Sequence, residues 1–240
     1  MDTLTLLALI PAAVAAAFLL HWLTLRPLKT AEERLPSCRG AYLGLSLQLV
    51  MLAWYLAGSR PGSVSILIAL GVSFSFLGDF FNLQFPSVKK ALGEPVFYGI
   101  LSFIPAQVCY ISAYLTLLPW GEYTAAGWFY PLLLAFLIVP AVVFRLRVYN
   151  PQRPRRIMAG AFVYGFFLST MGALAISAAF LRGGYWYAVA GGGVFFLLSD
   201  AVMGETTIYG RHPVFEYQIP WFTYLVAQGL IVFGTAAMTL

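Results

Sequence analysis

The feature that most constrains this chain is a succession of apolar runs, each close to the length of roughly 20 residues that a helix needs to cross a bilayer's hydrocarbon layer. Eight are legible, at 4–25, 40–57, 63–85, 96–118, 126–145, 156–180, 185–204 and 219–239. Lipid offers the backbone no hydrogen-bond partners, so runs of this length read as helices. The pattern predicts an all-α polytopic membrane protein of eight transmembrane helices forming one domain over 1–240. Composition agrees: 61% of the residues are hydrophobic and 10% charged, against about 25% charged in soluble chains. Charges this sparse cannot coat a globule. The stretches from Arg26 to Arg39 and from Arg145 to Arg156 read as linkers, so any active site must be built from membrane helices and short loops. The first run is read as a helix and not a signal peptide. Met1-Asp2-Thr3 supplies no basic start, and the apolar stretch continues past Ala13-Val14-Ala15 to Leu25.

Charge sets the expected orientation. Twelve of the fourteen Lys and Arg residues fall in the odd loops: Arg26, Lys29, Arg34 and Arg39; Lys89 and Lys90; Arg145, Arg147, Arg153, Arg155 and Arg156; and Arg211. Only Arg60 and Arg182 lie in the even ones. Cytoplasmic loops collect bases, which places the odd loops inside and both termini outside. The net charge of +5 is explained by this asymmetry and by lipid phosphates, and nucleic acid is not an expected partner. Two cysteines, Cys38 and Cys109, form no metal-ligand spacing.

An ionisable residue within a span costs about 2.5 to 3.5 kcal/mol on insertion scales and is a functional candidate for that reason. Asp79 and Asp200 stand out, each near the cytoplasmic end of its span. Gln107 follows Asp79 by 28 residues and Gln228 follows Asp200 by 28, each preceded by Ala, with Tyr110 and Tyr224 nearby. The matched spacing suggests a duplication into parallel four-helix repeats, 1–120 and 121–240, related by an axis along the membrane normal. Such an axis brings the two aspartates to equal depth, where two carboxyl groups facing one cavity are expected to share one proton. A proton donor beside a carboxylate is the equipment of general acid–base catalysis. The plainer reading of each aspartate is a hydrogen bond to Ser, Tyr or Gln of a neighbouring helix, or an ion pair with Arg147 or Arg211.

Other polar residues fall into supporting roles. Asn82 shares a helical face with Asp79 and is placed to orient a carboxyl or a substrate oxygen. Gln107 and Gln228 are costly amides expected to face inward. Tyr110 and Tyr224 are candidate donors to the carboxylates, and Glu205 is a third acid, at the cytoplasmic margin. Lys89, Lys90, Arg211 and His212 are candidates for holding a phosphate. Several chemistries are excluded. With only His21 and His212, a three-histidine zinc site cannot form. All three lysines, Lys29, Lys89 and Lys90, are in loops, leaving no amine for a retinal Schiff base within the bundle. Phe76-Leu77-Gly78-Asp79 departs from the Gly-x-Gly-Asp of presenilin-type proteases, and neither a Gly-x-Ser-x-Gly elbow nor a Walker loop occurs.

Phe76-Leu77-Gly78-Asp79, then Tyr98-Gly99-Ile100-Leu101-Ser102-Phe103 and Gln107-Val108-Cys109-Tyr110, together with Phe195-Phe196-Leu197-Leu198-Ser199-Asp200 and the segment Thr223 to Ile231, resemble the YhhN family of eight-helix membrane proteins, the lysoplasmalogenases. The likeness covers the third, fourth, seventh and eighth spans in order. Two positions depart from it: Gln107 stands where members often have His, and only Arg26-Pro27 answers to a Lys-Pro entering the second helix. The resemblance implies a membrane hydrolase that cleaves the vinyl ether of a lysoplasmalogen. Its products would be a fatty aldehyde and glycerophosphoethanolamine or glycerophosphocholine, with Asp79 and Asp200 as acid and base and with no metal or cofactor. The rival reading is a proton-coupled carrier of small solutes or lipids that uses the same aspartates. Expected partners are the lysophospholipid and membrane lipids, and the expected location is a bacterial inner membrane.

Overall fold

The computed structural model describes residues 31–211 and 218–239. Regular structure among them is helical throughout: α1 (Ala31–Ser59), α2 (Ser63–Asn82), α3 (Pro86–Leu92), α4 (Pro95–Leu117), α5 (Trp120–Ala125), α6 (Phe129–Val143), α7 (Arg155–Arg182), α8 (Trp186–Gly204) and α9 (Gln218–Met238). Seven of these described helices, all but the short α3 and α5, are long and apolar enough to cross a membrane. They coincide with seven of the eight expected runs, and the chain is a multi-pass membrane protein, all-helical over the described residues. The run at 4–25 lies outside the described residues, as does His212.

The differences from expectation sit at helix ends. The linker read from Arg26 to Arg39 is already helical from Ala31. Two loops hold the short helices α3 and α5, the first opened by Pro86, whose missing N–H costs nothing in a first turn. Both α6 and α8 run on through a π-helical turn, Phe144–Val148 and Glu205–Tyr209, past the ends expected at 145 and 204. Gly210 ends the second turn at φ 90°, a left-handed conformation that residues with a side chain rarely adopt.

Lipid supplies no hydrophobic drive between helices, so close backbone approach at small residues does much of the packing. Two pairs approach most closely, α2 with α4 and α8 with α9. A Cβ added at Gly71 would sit 2.4 Å from the Tyr110 ring, and one at Gly78 would sit 2.4 Å from the Phe103 ring. In the other pair, Gly192 would meet the Ala227 carbonyl at 2.8 Å and Gly234 would meet the Val189 side chain at 2.7 Å. These are the same two helix pairs that carry the matched Asp-to-Gln spacing. Around them α1 lies against α2, and α7 bridges α4 and α8. The outlier is α6, packed chiefly along α7, with only 6% of its span buried.

Contacts gather the base-rich segments at one end. Arg39 Nε donates to the Leu83 carbonyl at 2.7 Å, and its guanidinium lies 5.9 Å from the centre of the Phe85 ring. Arg153 donates to the carbonyls of Thr207 and Ile208 at 2.9 and 3.2 Å. At the opposite end Arg182 pairs with Glu122, and Arg60 reaches the Thr239 carbonyl. Asp79 and Asp200 both lie toward the base-rich end.

A Gly78→Ala substitution forces a methyl into the Phe103 ring and is expected to cost about 1–3 kcal/mol by overpacking. Gly44→Ala, with nothing within 4 Å of its added Cβ, is expected to hold or raise stability through helix propensity. Thermal unfolding in detergent, read by circular dichroism, checks the opposite signs.

Candidate active site

The α2 residue Asp79 is buried, with 3% of its surface exposed. Its Oδ2 accepts hydrogen bonds from Ser46 Oγ of α1 at 2.5 Å and from Tyr224 Oη of α9 at 2.6 Å. The network continues inward. Gln228 Nε2 donates to Tyr224 Oη at 3.3 Å, Tyr110 Oη donates to Gln228 Oε1 at 2.7 Å, and Ser75 Oγ lies 3.4 Å from Tyr110 Oη. One polar thread thus ties α1, α2, α4 and α9 around a single carboxyl. These are the interhelical hydrogen bonds that a carboxyl in an apolar bundle requires.

Asp200 of α8 has a different setting. Tyr164 of α7 donates to its Oδ2. Gln107 of α4 is fully buried with its amide beside the Tyr164 hydroxyl, although it makes no hydrogen bond of ordinary geometry. Each aspartate therefore accepts from a tyrosine that itself lies against a glutamine: Tyr224 and Gln228 for Asp79, Tyr164 and Gln107 for Asp200. Between the two sets stands Phe103, its ring centre 5.7 Å from that of Tyr164 and 6.3 Å from that of Tyr224. Asp200 lies within electrostatic range of Asp79.

A cavity of about 450 Å³ opens between α4, α6, α7 and α8. Its polar lining includes Asp200, Tyr164, Asn82 and Thr207, while apolar side chains such as Phe103 and Phe136 make up most of the wall. Asp79 is absent from that lining. The expectation that both carboxyls face one hollow is corrected here. Phe103, which lines the cavity, packs against Gly78 next to Asp79, so only Asp200 meets the open space. Asn82 does reach it, held where a Cβ on Gly99 would lie 2.3 Å from its Oδ1.

The remaining candidates spread apart. Tyr110 donates to Gln228 and not to a carboxylate. Glu205, with a 19% exposed side chain, pairs with Arg147 at 3.0 Å and Arg211 at 3.1 Å, so the two arginines that could have paired with the aspartates are held by Glu205 instead. The Glu205 carboxylate holds the Arg211 guanidinium above its ordinary value. Lys89 and Lys90 are exposed on α3, away from the cavity lining. Sequence reasoning missed Ser46 and Tyr164. Tyr164 belongs to a buried α7 stripe with Ile157, Ala161 and Leu168, and a polar-tipped ring in an inward stripe was the available signal. Among the described residues no cluster of His, Cys, Asp and Glu could hold a metal ion.

The family model of YhhN matches residues 41–235. The chain belongs to the YhhN family. That match takes in all or most of each of the seven described membrane helices, α1, α6 and α7 included, and both aspartates fall within it. No curated protein and no solved structure matches the chain.

Removing either donor to Asp79, by Ser46→Ala or Tyr224→Phe, is expected to destabilise the bundle by about 1 kcal/mol or less, because the carboxyl keeps its other donor. The double variant is expected to depart from additivity, since both bonds end on one oxygen. Thermal unfolding of the four proteins in a double-mutant cycle measures the coupling.

Proposed function

We propose that this YhhN-family protein is a membrane hydrolase that cleaves the vinyl ether of a lysoplasmalogen. The observation that carries the reading is the Asp200–Tyr164 pair set in the wall of an otherwise apolar cavity within the membrane spans. At about 450 Å³ the space falls in the range of small-molecule sites, roughly 300–1,000 Å³. It offers alkyl chains an apolar wall and one end of the cavity a few polar atoms, from Asn82 and Thr207.

The chemistry needs few groups. Asp200, as the acid, transfers its proton to the β-carbon of the enol ether, and the π electrons form the new C–H bond. The α-carbon and ether oxygen are left as an oxocarbenium ion, which the resulting carboxylate faces and stabilises. Water adds to the α-carbon and gives up a proton to that carboxylate. The hemiacetal then breaks its bond to the glycerol oxygen, which takes the proton now on Asp200 and leaves as the alcohol, while the hydroxyl proton returns to the Asp200 carboxylate and the aldehyde is released. Atoms balance as vinyl ether plus water giving aldehyde plus glycerophospho-alcohol. Tyr164 positions the Asp200 carboxyl. Asp79 acts from behind Phe103, through the hydroxyl network that fixes α2 and α9, while Asn82 orients the ether or glycerol oxygen.

The same reading places an eighth helix at 4–25, with both termini outside a bacterial inner membrane, and treats the two Asp-to-Gln pairs as products of duplication. The basic end, at the cytoplasmic face, takes the phosphate.

Purified protein in detergent is expected to release fatty aldehyde from lysoplasmalogen. Asp200→Asn is expected to abolish release, lowering the rate by a factor on the order of 10² or more. Tyr164→Phe and Asp79→Asn are expected to retain measurable but reduced rates. A parent protein that releases no aldehyde, yet moves protons or solute in liposomes, would establish the carrier instead.

A further inference from the structure

Helix α6 has α7 along its length and other neighbours only at its two ends. Ala135, Phe136, Val139, Pro140, Val143 and Phe144 recur at helical spacing and all line the cavity, so the face that would ordinarily pack against α8 looks into open space. Helix α6 meets the rest of the bundle along α7, at its start, where Phe129 packs on Trp120 and Tyr123 of α5, and at its π-helical end, where Val148 lies 2.9 Å from a Cβ position on Gly204. Three of the larger side chains that line the cavity are also strongly exposed: Val139 on α6, at 59%, and Val194 and Leu198 on α8, at 40% and 52%. A residue can be both only at an opening. These three mark a gap between α6 and α8 within the spans, edged by hydrocarbon side chains alone.

The interior of the cavity is shorter than a lipid tail. From Asp200 to the level of Val194 is six residues of α8, about 9 Å at 1.5 Å per residue. Near that depth Phe136 and Leu197 close on α7, reaching 3.3 and 3.1 Å from a Cβ position on Gly172. A membrane-lipid tail spans one leaflet, about half of the roughly 30 Å hydrocarbon layer. We propose that the gap between α6 and α8 is a lateral window through which the single alkyl chain of the bound lipid passes, its reactive end at Asp200 and its remaining methylenes in the bilayer. The occupant is an alkyl chain because the edges offer no hydrogen bond and the opening faces hydrocarbon; a charged headgroup would be desolvated there without compensation. Long tails are then accepted without a length limit, since the protein houses only the first part of each.

The inference rests on the hydrolase reading for the identity of the lipid, and its test is made on binding. The probe is a non-cleavable saturated alkyl-ether lysophospholipid, in short- and long-chain forms, bound to the full chain and read by native mass spectrometry. The variants are Val139→Trp, Val194→Trp and Leu198→Trp, which narrow the gap, with Ile138→Trp on the lipid-facing surface of α6 as control. Expected is a loss of about tenfold or more in long-chain affinity for at least two window variants. Short-chain binding in those variants, and both affinities in the control, are expected to stay at the parent value. Unchanged long-chain binding in all three variants, an equal fall for short and long chains, or no binding of either probe to the parent would overturn the window. The expected pattern in a parent that releases no aldehyde would keep the window and remove the reaction. Aldehyde release without the pattern would do the reverse.

Discussion

A carboxyl group inside an apolar bundle has to be given donors by its neighbours, because lipid gives none. Asp79 takes hydroxyls from Ser46 on α1, the helix just before its own, and from Tyr224 on α9, the last helix described. That requirement specifies much of the arrangement around it. Tyr224 can reach Asp79 only if α9 crosses α2 at that depth, and Gln228 and Tyr110 then extend the constraint to α4. Bonds of this kind are worth modest amounts singly, about 1 kcal/mol or less in membranes. Their value lies in register: sliding one helix past another leaves a buried charge or amide unpaired.

Glycine supplies the other half of the constraint. At Gly71 and Gly78 the α4 aromatics occupy the room a side chain would take, and Phe103 so placed becomes the partition between the Asp79 network and the cavity. The same residue that lets two helices touch thereby decides that one aspartate is enclosed and the other open. The chemical asymmetry of the pair thus follows from packing, although the two aspartates occupy corresponding places in the sequence.

Much of this was legible in the amino-acid sequence, for identifiable reasons. Apolar runs reveal spans because the bilayer demands length and hydrophobicity together, and seven of them recur in the described helices. Asp79 and Asp200 are visible because an acid in such a run is expensive. Hydroxyls are not visible in this way: Ser46 is one of many membrane serines, and Tyr164 is one of 14 tyrosines, so nothing local told which of them meets a carboxyl. The cavity was hidden for a different reason. The sequence of α6 is uniformly apolar, as a helix surrounded by lipid and a helix walling an apolar chamber both must be, and hydropathy cannot separate the two. The π-helical turns were missed because they continue a helix with ordinary residues, and only Gly210, beyond the second, marks an end.

The exposure of α6 is the point at which fold and function meet. A helix with 6% of its span buried would be a poor investment in a protein that needed only stability, since it forgoes the close packing that holds α2 to α4 and α8 to α9. Its inner face, however, is what encloses Asp200 and Tyr164. If α6 packed down onto α8, Val139 would cover Val194 and Leu198, and Asp200 would be sealed as thoroughly as Asp79. The weak packing of α6 and the accessibility of Asp200 are therefore a single property of the bundle. An acid that must meet a lipid-borne substrate requires a neighbouring helix to stand off from the core.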